Sequence, residues 1–184
     1  MTPNSPSSFI RQRLVDVRDA LWTMPPWRVW RRCFIGYALF TVSVLPIGLA
    51  AGIVRPGLAP LSPSAAVTLL VAIAIHPAFG EELIFRALLL PRQRERLSTG
   101  RSIGIAAAAL AAYLVSHPIN AWLFRPGAMA LFTSPGYLAC AALLGLTCTA
   151  VYWVSQSIWP AVVLHWTTAA VWLLCLGGQR LVGN

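Results

Sequence analysis

The sequence predicts an all-α, multi-pass transmembrane bundle of about five spans, preceded by an amphipathic interfacial helix. Three observations carry this. Of the 184 residues, 58% are hydrophobic and only 10% charged, where a soluble domain carries about 25% charged residues. The apolar residues fall in five long runs. The 14 basic residues are all arginines, and they flank those runs. A net charge of +9 would suit nucleic acid if the arginines lined a groove. Beside apolar runs with aromatics at their ends, they suit anionic lipid headgroups instead. The lipid bilayer is therefore an expected partner and nucleic acid is not.

The length fits one compact domain. Residues 1–32 read as a cytoplasmic tail and helix, and residues 33–184 as the transmembrane domain. Met1 to Ser8 is rich in Pro and Ser and is expected to be disordered. From Phe9 to Trp22, Ile10, Leu14, Val17 and Leu21 recur at helical spacing, with Arg11, Arg13 and Arg18 between them. Such a helix suits an anionic membrane face. Pro25 and Pro26 end it, and Trp27, Trp30, Arg31 and Arg32 form an interfacial anchor.

The first run, Cys33 to Val54, is uncharged and 22 residues long. It spans about 33 Å, enough for a bilayer core. It lies too far from the start, and is too long, for a cleaved signal peptide. The second run, Ser64 to Leu90, is interrupted by Pro77 and Gly80 and contains Glu81, Glu82 and Arg86. The third, Ser102 to Phe124, carries His117, Pro118 and Asn120. The fourth is Tyr137 to Val154. The short link Ser155 to Ser157 then makes an antiparallel hairpin with the fifth, Ile158 to Leu176, which carries His165.

Six arginines precede the first span and four follow the second, against Arg55, Arg125 and Arg180 on the other side. That asymmetry places the N-terminus in the cytoplasm and, after five spans, the C-terminus outside. The expected location is a bacterial inner (cell) membrane. Cys33, Cys140, Cys148 and Cys175 lie in or beside apolar runs without CxxC spacing, and read as small buried side chains.

The chemistry is concentrated in the runs. Of five acidic residues, only Glu81 and Glu82 lie within the hydrocarbon layer. A charge there costs at least about 2.5–3.5 kcal/mol. Arg86, four residues after Glu82, offers that residue a partner on one helical face. Glu81 points about 100° away and has none on its own helix. All three histidines, His76, His117 and His165, also lie in apolar runs. His76 is on a different face from Glu82 unless Pro77 and Gly80 break the helix. A carboxylate beside imidazoles can take a proton from water, and an imidazole can donate to a developing oxyanion. That is equipment for hydrolysing an acyl bond. Two histidines and a glutamate can also ligate zinc. Without an HExxH pair, such a site needs ligands from three helices, and the residues alone leave both forms of water activation open.

EELIFR, Glu81 to Arg86, resembles the EExxxR motif of the CAAX-protease and bacteriocin-processing (CPBP, or Abi) family of intramembrane endopeptidases. YLVSH, Tyr113 to His117, resembles its FxxxH motif with Tyr for Phe. HWTTA, His165 to Ala169, resembles HxxxN with Ala where Asn is usual. The resemblance covers roughly Ala65 to Leu176. It implies a glutamic-type protease acting on a membrane-associated protein or peptide; no cofactor is expected, and the resemblance leaves zinc open. It implies that Glu81 is the general base assisted by His117, that His165 is an oxyanion donor, and that Glu82 and Arg86 are a supporting pair. Ala169 removes the second donor, which Asn120 or Thr168 could replace. Two other readings stand beside it: a non-enzymatic scaffold or bacteriocin-immunity protein, and a proton-relay transporter. The lack of an inverted repeat argues against the transporter.

Overall fold

The computed structural model describes residues 6–183. Its elements are α1 (Pro6–Trp22), α2 (Trp27–Ala50), α3 (Pro63–Ile73), α4 (Gly80–Glu82), α5 (Thr99–Phe124), α6 (Met129–Phe132), α7 (Pro135–Ser155), α8 (Trp159–Cys175) and α9 (Gly178–Val182). π-helical turns, Ala74–Phe79 and Leu83–Leu88, join α3 and α4 into one long broken helix. Among the described residues there is no strand, so the bundle is all-α as the apolar runs predict. The expected disorder of Met1 to Ser8 falls outside the described residues for 1–5, and the first turn of α1 begins at Pro6.

Four helical stretches are long and apolar enough to cross a bilayer: Trp27–Ala50, Pro63–Glu95, Thr99–Phe124 and Pro135–Ser155. The fifth apolar helix, Trp159–Cys175, is shorter. Serines set the starts of three spans. Ser62, Ser98 and Ser134 each accept a hydrogen bond from a first-turn amide, and Pro63 and Pro135 open their helices, where proline's missing N–H costs nothing. The outward faces stay apolar: Ile35, Leu39 and Val42 on α2, and Val115, Ile119 and Trp122 on α5, are exposed. Lipid covers such faces where water would not.

Two glycines, Gly48 and Gly52, shape the end of α2. Gly52 takes φ +70° to end the helix, and Ile53 and Val54 donate back to the Gly48 carbonyl, the pattern of a glycine-closed helix end. A Cβ on Gly48 would stand 2.5 Å from Val54 Cγ2.

Three indoles on α8 fix it against its neighbours. Trp159 Nε1 donates to the Leu21 carbonyl of α1 at 2.8 Å, Trp166 Nε1 to Leu70 of α3 at 3.0 Å, and Trp172 Nε1 to Ile53 after α2 at 2.8 Å. Their ring bodies pack while their N–H groups find carbonyls, as buried indoles require.

α1 is docked against the bundle. It buries Asp16 and Ala20 completely and leaves Ile10, Leu14 and Trp22 exposed. Asp16 pairs with Arg94 and with Arg13. Arg94 also reaches Asp19 at 2.7 Å, and Arg13 pairs with Glu95. That hydrogen bond from Arg94 holds the Asp19 carboxyl below its usual range. The apolar residues Val17 and Leu21 pack with Leu83 and Leu90, so α1 rests on the helix that bears the acidic pair.

Candidate active site

The acidic pair sits just after a break in the second span. A residue before proline is driven out of helical conformation. His76, before Pro77, is extended at φ −146°, ψ 121°. π-helical turns then flank Glu81 and Glu82 on both sides; such turns re-aim side chains and recur at functional sites.

Glu82 is completely buried. Its Oε2 lies 3.1 Å from Arg86 Nε, an ion pair one turn along the chain. Its Oε1 lies 2.8 Å from His165 Nδ1. The Arg86 Nη2 donates to the Gly145 carbonyl at 2.9 Å, and the guanidinium stands 4.8 Å from the Tyr113 ring centre. The arginine's charge is thus met by a carboxylate, a carbonyl and an aromatic face, three compensations for its removal from water. Position 145 is closely packed. A Cβ there would lie 2.7 Å from Leu110 Cδ1 and 3.1 Å from the Tyr113 ring.

The hydrogen bonds orient both imidazoles. A carboxylate facing Arg86 is an acceptor, so His165 Nδ1 carries the proton and donates to Glu82. The opposite nitrogen, Nε2, points toward Glu81, 4.0 Å from Oε2. In His117, Nδ1 donates to the Tyr113 carbonyl at 2.8 Å, since a carbonyl can only accept. Its Nε2 is then a lone pair when the ring is neutral. Tyr113 meets both rings edge-on, with centres 4.7 Å from His117 and 6.4 Å from His165.

A cavity of about 580 Å³ opens beside these groups. Glu81, His117 and His165 line it, whereas Glu82 and Arg86 lie behind its wall. The two adjacent carboxylates are thereby separated: Glu81 is presented and Glu82 is enclosed. Within the wall, Glu81 Oε2 has no hydrogen-bond partner among the described residues. Asn120, Thr168 and Ala169 also line the cavity. The Thr168 hydroxyl donates its proton to the Leu164 carbonyl at 2.8 Å. Among the described residues, no three His, Cys, Asp or Glu side chains are arranged to hold a metal ion.

Three residues join the site that motif reading did not place there. His76 lines the cavity, and its signal was Pro77, whose effect on the preceding residue turns that side chain out of helical register. Tyr137 packs against His117 at 5.5 Å between ring centres; nothing in its local sequence marks it. Gly145 acts through a backbone carbonyl, which leaves no side-chain signature.

Against known proteins, the family model described as "Type II CAAX prenyl endopeptidase Rce1-like" matches residues 63–171. No curated protein and no solved structure matches the chain. The matched stretch is more than half of the chain. It contains the broken span, the three histidines that line the cavity and the glycine whose carbonyl accepts from Arg86. The chain is therefore a member of the Rce1-like type II CAAX prenyl endopeptidases, a family of membrane proteases within the CPBP group.

Proposed function

We propose that the chain is an intramembrane endopeptidase in which Glu81 activates the hydrolytic water. The observation that carries this is the separation of the two carboxylates: Glu81 lines the cavity, and Glu82 is enclosed by Arg86 and His165. Glu81 takes a proton from water as the water oxygen attacks the scissile carbonyl carbon. His117 Nε2, an acceptor, holds the water's second proton. The carbonyl oxygen becomes an oxyanion, which His165 Nε2–H stabilises when that ring is protonated. Glu82 keeps the ring oriented through Nδ1, as a carboxylate orients a histidine in other hydrolases. The C–N bond then breaks, and the proton held by Glu81 passes to the leaving amine. Because Thr168 already donates to Leu164, Asn120 is the better placed second donor where Ala169 lacks one. The substrate is a membrane-associated protein or peptide, and no cofactor takes part.

The test is a comparison of peptide termini in membranes from cells making the wild-type chain or Glu81→Gln. New termini that appear only with the wild type support the reading. Identical profiles, with both proteins present at equal level, would overturn it in favour of a scaffold.

A further inference from the structure

α2 and α7 pack antiparallel, with Gly36 of α2 beside Val151 of α7 and Ala51, just past α2, beside Gly136 at the other end. Where the start of α2 meets the end of α7, a groove of about 260 Å³ lies between them. Arg32, Ile35, Gly36 and Leu39 line it from α2, and Thr147, Ala150 and Val154 from α7. It shares no lining residue with the cavity beside the acidic pair. Ile35, Leu39 and Val154 are exposed, so the groove faces the hydrocarbon of the bilayer.

The groove is apolar below and cationic above. The Thr147 hydroxyl already donates to the Leu143 carbonyl at 2.8 Å, so it offers no free donor to a guest. Water needs two to four polar partners to occupy such a space; an acyl chain needs none. From Arg32 to Leu39 the groove follows α2 for about 10 Å. Arg28 lies one turn before Arg32 on the same helical face, and both are exposed. Trp27 and Trp30 stack against Phe34 beside them, each at 6.1 Å between ring centres. Interfacial indoles mark headgroup depth, which is where the two guanidiniums stand.

These cations have no counter-charge within the described residues. The chain has five acidic residues. Asp16, Asp19 and Glu95 pair with arginines of α1 and with Arg94. Glu82 pairs with Arg86, and Glu81 lines the cavity beside His165. None reaches Arg28, Arg31 or Arg32, so an anion for them comes from outside. We propose that the groove is a binding site for one anionic phospholipid, with its phosphate at Arg28 and Arg32 and an acyl chain along Gly36 and Ala150. The cations supply the preference for negative headgroups, and the groove supplies the preference for a lipid over a free anion.

Native mass spectrometry of the purified protein in detergent, titrated with phosphatidylglycerol or phosphatidylcholine, tests this. One phosphatidylglycerol per chain should be retained, about tenfold more tightly than phosphatidylcholine. Arg28→Gln and Arg32→Gln should each weaken phosphatidylglycerol about fivefold and leave phosphatidylcholine unchanged. Gly36→Leu, which fills the groove, should weaken both lipids. If Gly36→Leu fails to accumulate, Ala150→Phe on α7 is read in the same way. Equal retention of the two lipids would overturn the proposal, as would binding that survives filling of the groove. So would an equal loss from Arg101→Gln, an exposed arginine on another helix, since that would show diffuse attraction to the whole cationic end. Displacement of the lipid by inorganic phosphate would show an anion site without a lipid. The readout needs no turnover, so Glu81→Gln should bind as wild type does, and failure of the protease reading would leave this result intact.

Discussion

His165 Nδ1 lies 2.8 Å from Glu82 Oε1, and the same carboxylate lies 3.1 Å from Arg86 Nε. One enclosed carboxylate therefore serves two purposes: it compensates a buried guanidinium and sets which nitrogen of His165 faces the cavity. Removing it should damage stability and chemistry together, while changes at the cavity surface should damage chemistry alone.

Glu82→Ala leaves Arg86 buried without its counter-charge. Breaking a buried pair from one side costs about 3–5 kcal/mol, so thermal unfolding in detergent should shift sharply downward. Glu82→Ala with Arg86→Met should recover much of that loss but no cleavage. A single variant as stable as wild type would show that the Gly145 carbonyl and the Tyr113 ring suffice for the guanidinium.

His165→Ala should lower the cleavage rate by about 10²–10³, the scale of one oxyanion donor. Asn120→Ala should cost about 10-fold or more, and Ala169→Asn should raise the rate by restoring a donor one turn after His165. Single-turnover kinetics separates these effects from binding. If Asn120→Ala is silent and Ala169→Asn gains nothing, one donor serves this chain.

Gly145→Ala tests how tightly the arginine is held. The added Cβ meets the Tyr113 ring at 3.1 Å, and overpacking of this kind costs about 1–3 kcal/mol. The shift should move Tyr113 away from Arg86 and His117, so both the unfolding midpoint and the rate should fall. An unchanged midpoint would mean that the two helices separate freely at this level.

Chelators should leave cleavage unaffected, and purified protein should hold far less than one zinc per chain. Loss of activity that zinc restores would recast Glu81, His117 and His165 as ligands.

Docking of α1 should depend on pH. The hydrogen bond from Arg94 holds Asp19 below its ordinary value of 3.8. A carboxyl depressed in the folded state stabilises it fully above that ordinary value, and the benefit disappears as pH falls through the lower folded value. Amide exchange in α1 should therefore accelerate below about pH 4 relative to α7. Asp19→Asn should lose this part of the acid response and exchange faster at neutral pH.

The bundle was legible because span length and apolar composition are local quantities. Cys33 to Val54, read as a run, became Trp27–Ala50: the helix starts earlier, because an interfacial Trp–Arg segment is as good a helix as the apolar one. Of the site, Glu81, His117 and His165 could be found as polar groups stranded in hydrocarbon. That Glu82 pairs with Arg86 was legible from their spacing; its second contact, with His165, was not, because it depends on how α8 meets the broken span. Gly145 and Tyr137 were hidden for the same reason: each contributes a surface to a neighbour on another helix. The extended residue at His76 was foreseeable from Pro77, but the direction of its side chain depended on the path of the chain beyond.

The three indole bonds of α8 reach α1, α3 and the end of α2 from positions 159, 166 and 172. Because a helix turns about 100° per residue, they act as a gauge of rotational phase. One residue inserted between Trp159 and His165 would swing His165 away from Glu82 while leaving Trp159 in place; one inserted after His165 would keep the imidazole and misplace Trp172. Length variation is therefore expected to be excluded from α8 and tolerated in the turn between α6 and α7, and a scan of single-residue insertions would trace that boundary directly.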